Sequence, residues 1–572
     1  MHLPTAFTFL SALILLPFLV YASCPLPVEP HLPIPPLSAA DFSSLLANLT
    51  AETDMRLGRL IDLSPTFANI SVSVVVTGQD EMPWFTYNFG PEGSNVTSDS
   101  IYRIASISKV FAVYEALVNH LDLDDTVGKW IPEFQRDEVA GITLRSLAGQ
   151  TSGLTRDYPN NDVSVIPLDC DFMLMKRIST YLTMTDYINT LSQRELVYPP
   201  SSFPSYSNMA YDVLGQIVEL KTGKNYSDLI AHDVAHRLNM PRTSLLKPDD
   251  SLGVIPTALA NRSWYEDFGW AGPAGAMYSS ASDLAQFARL ILNDLDSFNE
   301  TSLGLPGHVL REWFKPHSYT ASNVGFVGLP WEDVRPSIPG LNGGFPFTVH
   351  IKSGSLIVYE SELAIVPEYG FGLSVLATGG PSGTVRVFED ELVLAFARVV
   401  EAKRVQHAND TYAGTYSAAV GNSTAVFELK VADDGLGLEL VRWEYGSLDI
   451  LGILLNPSAP MEPAGIVGAP IHRFHQFVRR QSTNTTTPVY RLFPTQAFIP
   501  DTWRMSLWSP ASPASPVIES IFAGDCGEWF VTDALYYGGQ PADKIHFIRD
   551  EAGSVAEVEI PWLRLKLAKQ AL

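Results

Sequence analysis

The chain has 572 residues, which is too many for one compact core, so two or more domains are expected. Hydrophobic residues make up 46% of the chain and charged residues 17%, a composition typical of globular proteins and not of disordered ones. The formal net charge of −24 argues against nucleic acid or an anionic membrane surface as a partner.

The N-terminal segment, residues 1–22, is predicted to be an export signal. It is apolar from Leu3 to Val20, and Val20-Tyr21-Ala22 suits signal-peptidase cleavage. A membrane anchor is the alternative, but Pro4 and Pro17 interrupt the apolar run and strongly basic flanks are missing. No later segment reaches ~18 consecutive apolar residues, so no membrane span is expected after signal cleavage.

Asparagine sequons support the same route. Nine of the 20 asparagines occur in Asn-X-Ser/Thr, which favours the eukaryotic secretory pathway and a secreted, extracellular protein. The predicted glycosylation sites are Asn48, Asn69, Asn95, Asn225, Asn261, Asn299, Asn409, Asn422 and Asn484. In an oxidising compartment the three cysteines, Cys24, Cys170 and Cys526, permit one disulfide and one leftover thiol, and the pairing stays open.

Patterns of strands and helices predict the domain organisation. After a proline-rich lead at 23–39, predicted to have no core, residues 70–76 and 83–90 are expected to form neighbouring strands. A mixed region of helices and loops follows to about residue 340, then three strand-like runs, "PFTVHIKS", "SELAIVP" and "FGLSVLA", and a helix over 387–404. From 405 to 572, short alternating runs predict a mostly β domain, with "RRQSTNTTTP" as an exposed loop.

The stretch "IASISKVFAVYEALV", residues 104–118, predicts a helix that is apolar nearly all round and therefore buried. Ser106 and Lys109 share one of its faces because they lie three residues apart. The flank around Lys109 offers no carboxylate, and Glu115 points away. Burial lowers the pKa of an amine, so Lys109 is a candidate base for a Ser106 nucleophile. A second match, Ser244 to Lys247, precedes Pro248 and is discarded.

Two later segments carry further candidates. Tyr206-Ser207-Asn208 precedes a predicted helix that Ser207 or Asn208 can cap, which places the tyrosine and the amide at a cleft edge. Lys352-Ser353-Gly354 ends a predicted edge strand on which Lys352 faces away from the apolar side, and the glycine lets the backbone approach a ligand. The similar Lys221-Thr222-Gly223 is interpreted as a helix C-cap.

These three elements, in this order, resemble the motifs Ser-X-X-Lys, Tyr-X-Asn and Lys-Thr-Gly of the serine β-lactamase and penicillin-binding protein superfamily, most closely its class C and family VIII esterase-like branch. Residues 142–154 and 271–287 are similar to that branch's Ser-Gly-Leu loop and its glycine-rich turn before a helix. The resemblance covers residues 40–404. Residues 405–572 are similar to the β-barrel-like extra domains of secreted fungal β-lactamase-like proteins.

The resemblance implies an α/β (α+β) fold: a β-lactamase/transpeptidase-like antiparallel sheet flanked by helices, with an all-helical region and the site between them, plus a mostly β C-terminal domain. It implies that Ser106 attacks a carbonyl and forms an acyl-enzyme, with Lys109 and Tyr206 sharing general-base duty. Lys109 and Lys352 would keep Tyr206 partly ionised.

The resemblance also implies roles around the nucleophile. Asn208 would bind the substrate or orient Lys109, and the backbone N–H groups of Ser106 and Ser355 would form the oxyanion hole. Ser353 stands where threonine is usual and keeps a hydroxyl, and together with Gly354 it belongs to the expected substrate-binding strand. Because Lys352 is kept, a substrate that carries a carboxylate stays open.

The expected activity is that of a secreted serine hydrolase of the esterase, amidase or β-lactamase type, acting on a small molecule with an ester, amide or lactam carbonyl and needing no cofactor. An acyltransferase of the same fold and a non-catalytic binding protein are the alternatives. A zinc hydrolase is a third, since His232 and His236 have a ligand spacing, but Ile230 and Val234 on the opposite side place both histidines on a solvated face. No Gly-X-Ser-X-Gly elbow is present, and the sequence leaves the oligomeric state undetermined.

Overall fold

The structure is a computed structural model that describes residues 32–63, 69–157, 184–256, 262–455, 489–495, 501–508, 533 and 536–571. The predicted signal peptide, the three cysteines, the sequons at Asn261 and Asn484, and the predicted loop at 479–488 lie outside the described residues. Contacts divide the chain into two compact units, one formed by residues 36–337 and 346–397 and the other by the remaining described residues.

The described helices are α1 Ser43–Leu63, α2 Ser108–Val118, α3 Leu144–Ala148, α4 Met184–Gln193, α5 Met209–Thr222, α6 Tyr226–Leu229, α7 Arg262–Tyr265, α8 Gly272–Gly275, α9 Ala281–Asp294, α10 Gly307–Trp313, α11 Thr384–Thr411 and α12 Ile450–Leu455. The described strands of the first unit are β1 Ser71–Thr77, β2 Phe85–Phe89, β3 Ile101–Arg103, β4 Tyr278–Ser280, β5 Ser318–Tyr319, β6 Gly325–Val327, β7 Glu332–Val334, β8 Val349–Leu356, β9 Tyr359–Val366 and β10 Phe371–Thr378. None of the described helices is both long and apolar enough to cross a bilayer.

The first unit is built on an antiparallel sheet in the order β2–β1–β10–β9–β8–β7–β6–β5. Every residue of β1 and β10 is buried, because α9 packs on one face of these strands and the ring of Phe396 from α11 packs near Trp84 and Phe371 on the other. The predicted pairing of the strands at 70–76 and 83–90, and the three consecutive strands β8, β9 and β10, are confirmed.

The prediction that Lys352 lies on an edge strand with a polar face is wrong. β8 is an inner strand, since β7 pairs with it and places Glu332 opposite Ile351. Side chains on both faces are buried, and Lys352 is only 1% exposed. The neighbouring strands β5 to β7 have two or three residues each, too short to give an alternating pattern in the sequence.

The helical part of this unit surrounds α2, whose residues from Ser108 to Ala116 are all buried, as the pattern predicted. The helix begins at Ser108 and not at Ile104 as predicted, because the positive φ of Ala105 interrupts it. α2 packs against α5 and α8. The last helix, α11, is longer than the predicted 387–404, so the predicted domain boundary after Arg404 falls inside a continuous helix. Helical turns form there because the sequence between 405 and 411 contains neither glycine nor proline.

The second unit is mostly β, as predicted. Its described strands are β11 Gly414–Val420, β12 Ser423–Val431, β13 Leu438–Tyr445, β14 Leu448–Asp449, β15 Val489–Pro494, β16 Thr502–Trp508, β17 Tyr536–Tyr537, β18 Gln540–Pro541, β19 Lys544–Arg549, β20 Val555–Ile560 and β21 Leu565–Lys569. The main sheet runs β12–β11–β21–β20–β19–β16–β15–β13, and β12 also pairs with β13, so the sheet closes into a barrel. Leu32 is fully buried in its hydrophobic core, so the expectation that the proline-rich lead lacks a core is wrong at this residue.

Candidate active site

Ser106 lies at a strained connection between β3 and α2. The preceding residue, Ala105, has φ of +46°, a left-handed conformation that is unfavourable for a residue with a side chain. A short 3₁₀ turn over Ala105–Ile107 follows before α2 begins. Ser108 supports this geometry, since its buried hydroxyl donates to the Ala105 carbonyl at 2.7 Å and accepts from the Met277 N–H at 3.1 Å. Ser108 therefore positions the nucleophile.

Lys109 is fully buried and directed at Ser106. Its Nζ donates to Ser106 Oγ at 3.0 Å, to Asn208 Oδ1 at 2.7 Å and to the Ala274 carbonyl oxygen. All three acceptors are uncharged. Burial is the main reason that the pKa of Lys109 lies below its ordinary value. The amine can therefore lose its proton more readily than an exposed lysine.

Tyr206 is the second group in contact with the nucleophile. Its hydroxyl donates to Ser106 Oγ at 2.8 Å, and the Nζ atoms of Lys109 and Lys352 lie 5.0 and 5.5 Å from its ring centroid. Burial on its own would raise the pKa of Tyr206. The two lysine charges and the serine hydrogen bond outweigh burial and lower this pKa to about 8. A substantial fraction of this phenol is consequently ionised just above neutral pH.

Asn208 orients the lysine. Its Oδ1 accepts from Lys109, while its Nδ2 donates to Asp157 Oδ1 at 2.7 Å and so fixes which side of the amide faces the amine. Ser207, and not Asn208, caps α5 by accepting from the Ala210 N–H at 3.1 Å. Of the two roles expected for Asn208, the geometry favours orienting Lys109.

Lys352 does not stand free in the site. Its Nζ donates to Glu332 Oε1 at 2.5 Å, and the other carboxylate oxygen accepts from the Ser353 hydroxyl at 2.6 Å and the Ser353 N–H at 3.2 Å. Burial opposes the charge on both partners, but their attraction outweighs it. The pKa of Lys352 is therefore raised and the pKa of Glu332 lowered relative to their ordinary values. The pair is ionic at neutral pH.

Strand β8 passes directly against the backbone before Ser106. A Cβ added to Gly354 would lie 2.3 Å from the Ile104 carbonyl oxygen and 3.1 Å from the Ser106 nitrogen, so only glycine permits this approach. Ser361 Oγ donates to the same Ile104 carbonyl at 2.8 Å. Ser355 follows Gly354 on β8 and is exposed. The oxyanion hole of Ser106 and Ser355 N–H groups stays a prediction.

A cleft of about 810 Å³ opens beside this cluster, and Tyr206 and Glu332 are part of its wall. Much of its remaining wall is aromatic or aliphatic, and Phe203 and Tyr319 are 62% and 81% exposed. Exposed aromatic side chains at a cleft are typical of a site that receives an apolar part of a ligand.

The other candidates lie away from this cluster. Gly223 adopts φ of +69° as the C-cap of α5, as predicted for the second Lys-Thr-Gly segment. Lys247 is exposed and paired with Asp250. His232 and His236 are both exposed, with Ile230 and Val234 buried, as the pattern predicted.

Sequence reasoning missed three residues of the site. Glu332 lies on a three-residue strand without a motif. Asp212, one turn into α5, is buried near Lys109, and burial raises its pKa to about 8, so it is largely protonated at neutral pH. Gln150 accepts from the Ser207 N–H at 2.6 Å and holds the tyrosine segment in place. Gln150 lies within residues 142–154 and Asp212 within the predicted helix after Asn208, but no residue pattern distinguishes their roles.

Comparison with known proteins assigns a family to each unit's sequence. A family model described as "Beta-lactamase" matches residues 63–398, and one described as "Beta-lactamase-like-like, C-terminal domain" matches residues 404–571. The chain is 28% identical over 509 residues to a "Beta-lactamase-like protein" of Arthroderma benhamiae, with 82% of this chain and 81% of that protein covered. It is 23% identical over 563 residues to "Probable hydrolase clz13" of Cochliobolus lunatus, covering 88% and 86%.

A bacterial relative and a solved structure each match part of the chain. The chain is 25% identical over 330 residues to "D-alanyl-D-alanine-carboxypeptidase/endopeptidase AmpH" of Escherichia coli, with 54% of this chain and 80% of that protein covered. A crystal structure of a class C β-lactamase aligns with a TM-score of 0.46 and 18% identity, covering 62% of this chain and 98% of that one.

Proposed function

The chain belongs to the β-lactamase family, and from that premise we propose that it is a serine hydrolase that forms an acyl-enzyme on Ser106. The substrate class is a small molecule with an ester, amide or lactam carbonyl. Hydrolases and carboxypeptidases among the relatives support the reaction class.

The contact pattern of Ser106 Oγ is the observation that carries the proposal. Lys109 Nζ and Tyr206 Oη both lie within hydrogen-bond distance of it, at 3.0 and 2.8 Å. A serine needs a base to become a nucleophile, and each of these groups has a pKa below its ordinary value. Tyr206, whose pKa is lowered to about 8, can therefore accept the Ser106 proton near neutral pH.

Acylation follows from this geometry. The ionised Tyr206, supported by Lys109, accepts the Ser106 proton while Oγ forms a bond to the carbonyl carbon. The tetrahedral oxyanion is held by the backbone N–H groups of Ser106 and Ser355. When the carbonyl–leaving-group bond breaks, Tyr206 returns its proton to the leaving oxygen or nitrogen.

Deacylation uses the same phenol. Tyr206 again accepts a proton, this time from a water that attacks the acyl carbonyl, and the proton returns to Ser106 Oγ as the acid product departs. Lys109 and Lys352 stabilise the phenolate during both half-reactions because each lies within 6 Å of the ring.

An active-site serine probe tests the proposal. A fluorophosphonate is expected to label the wild type and not Ser106→Ala, and Ser44→Ala, which removes an exposed serine hydroxyl of α1 and is expected to be labelled like the wild type, is the matched serine control. Purified protein is then incubated with a short-chain chromogenic ester, a chromogenic cephalosporin and a D-amino-acid amide. Absence of labelling together with absence of turnover of all three substrates would contradict the proposal and favour a binding protein.

Secretion is part of the proposal. It is supported by the apolar segment at 1–22 and by the exposure of every described sequon asparagine: Asn48, Asn69, Asn95, Asn225, Asn299, Asn409 and Asn422. Expression of the full chain in a eukaryotic host is expected to deliver it to the medium with a mass that falls on treatment with peptide-N-glycosidase. Retention inside the cell with an unchanged mass would contradict this.

A further inference from the structure

Glu332 occupies the position where an anion would bind beside the nucleophile. Both of its carboxylate oxygens are engaged, one by the Lys352 ammonium and the other by the Ser353 hydroxyl and N–H. A cation with an adjacent hydroxyl and N–H is a carboxylate receptor. Here the carboxylate comes from the chain itself, on the neighbouring strand β7.

The charge on the cleft wall is negative, like that of a substrate carboxylate. Of the described residues that line it, Glu332 is the one with a formal charge, and its side chain is 33% exposed. Tyr206 adds negative charge when it ionises. Arg156, whose guanidinium carbon lies 4.8 Å from the Tyr206 ring centroid, is paired with Asp157 at 3.4 Å. Lys352 and Arg156 thus each have an acidic partner from the chain, whereas Lys109, the third cation near the phenol, is fully buried and donates to uncharged acceptors.

The rest of the cleft favours apolar groups. Tyr198 and Phe203 contact each other edge to face at 5.7 Å between centroids, and both are exposed at the rim together with Tyr319. Aromatic faces offer contact area to an aliphatic or aromatic substituent and cost little conformational entropy on binding. The cleft therefore combines an apolar rim with a negatively charged wall next to the reacting atoms.

From this geometry, and resting on the proposed serine hydrolase, we propose that Glu332 determines specificity by selecting uncharged substrates. The site accepts neutral, apolar esters or lactones and rejects substrates that carry a carboxylate near the scissile carbonyl. An incoming carboxylate must either displace Glu332 from Lys352 and Ser353 or lie against it. Because Lys352 is engaged by Glu332, it offers the incoming carboxylate no unpaired positive charge, and a discrimination of about tenfold is expected.

The decisive comparison uses two nitrophenyl esters that differ in charge alone. One is the mono-p-nitrophenyl ester of glutaric acid, and the other carries a primary amide in place of its free carboxylate. A second pair places the carboxylate or amide on the nitrophenyl ring, so that both sides of the scissile bond are sampled. For the wild type, kcat/KM is expected to be at least about tenfold lower for the charged member of each pair.

Variants then assign the selectivity to Glu332. Glu332→Gln frees Lys352 and Ser353 to bind an anion and is expected to erase or invert the preference in at least one pair. Glu332→Asp keeps the charge and is expected to keep the preference. Glu81→Gln makes the same change in net charge at an exposed residue between β1 and β2, at the opposite edge of the sheet from β5, and is expected to leave the ratio unaltered. Thermal melting establishes that each variant is folded.

Several outcomes overturn the inference. A wild type with equal kcat/KM for both members of each pair, or with a preference for the carboxylates, would do so without any variant. A Glu332→Gln protein that keeps the wild-type ratio would also do so. Binding is measured by calorimetry on Ser106→Ala, with and without Glu332→Gln, so that charge selectivity is read even if no ester is turned over. Selective binding without turnover would contradict the proposed hydrolase activity and support the proposed selectivity. Turnover of both members of each pair at equal rates would support the hydrolase activity and contradict the selectivity.

Discussion

Replacing Lys352 by methionine is expected to raise the pH at which the enzyme gains activity. In the wild type the pKa of Tyr206 is about 8, and Lys352 is the strongest of the groups that lower it. The phenolate is the proposed base, so the rate falls as pH drops below this pKa. Removing a neighbouring cation destabilises the phenolate and raises the pKa of Tyr206. The acidic limb of the pH profile, where activity falls as the pH decreases, therefore shifts to higher pH.

The magnitude follows from the distance. Lys352 Nζ lies 5.5 Å from the Tyr206 ring centroid. Two unit charges at that separation in an effective dielectric of ~20 interact by about 3 kcal/mol, which corresponds to about two pKa units. The inflection is therefore expected near pH 10 in Lys352→Met. At pH 7.5 the ionised fraction of the phenol falls roughly 50- to 100-fold, and kcat/KM falls with it.

The assay is the pH dependence of kcat/KM for a neutral p-nitrophenyl ester, followed at the isosbestic wavelength of the leaving group. The matched control is Lys352→Met/Glu332→Gln, which removes both charges of the ion pair and is expected to shift the inflection less than the single variant, because Glu332 itself raises the pKa of Tyr206. An inflection that stays near pH 8 in Lys352→Met, or that moves to lower pH, would refute the assignment of Tyr206 as the titrating base.

Three further predictions concern the nucleophile's support and the buried charges. Gly354→Ala is expected to lower activity at least about tenfold and stability by about 1–3 kcal/mol, because its Cβ would lie 2.3 Å from the Ile104 carbonyl oxygen. Gly58→Ala in α1 is the control, because its Cβ would meet nothing within 4 Å. Lys109→Met is expected to lower kcat about 10²- to 10⁴-fold with the fold retained, as measured by initial rates and circular dichroism. Burial raises the pKa of Glu115 to about 8, so Glu115→Gln is expected to match the wild type to within about 1 kcal/mol in urea unfolding at pH 5 and to exceed it by about 4 kcal/mol at pH 8.

The sign of the last prediction rests on proton binding. The unfolded chain ionises Glu115 from about pH 4.5 upward, while the folded chain keeps it protonated to about pH 8, so wild-type stability is lost as pH rises through this window. Glutamine has no such loss. Equal stability of Glu115→Gln and wild type at both pH values would contradict a buried, protonated carboxyl. Full activity of Gly354→Ala or Lys109→Met would contradict the roles assigned to them.

Local sequence already determined the pairing of nucleophile and amine. Ser106 and Lys109 lie three residues apart, and residues at this spacing share one side of the 3₁₀ turn that leads into α2, where Oγ and Nζ are 3.0 Å apart. The apolar pattern around them also predicted a buried α2, and alternation predicted β8 to β10. These features depend on the spacing of apolar residues within one helix or strand, and that spacing is visible in consecutive residues of the sequence.

Tertiary structure alone decided the chemistry of the site around that pair. Tyr206 reaches Ser106 from 100 residues away, and Glu332 reaches Lys352 from 20 residues away because β7 and β8 pair in one register. Glu332 carries no motif, and its strand is too short to show a period. Whether Lys352 is free to bind a substrate carboxylate or is already neutralised depends on this strand pairing, since charge attraction is set by distance in space and not by spacing along the chain.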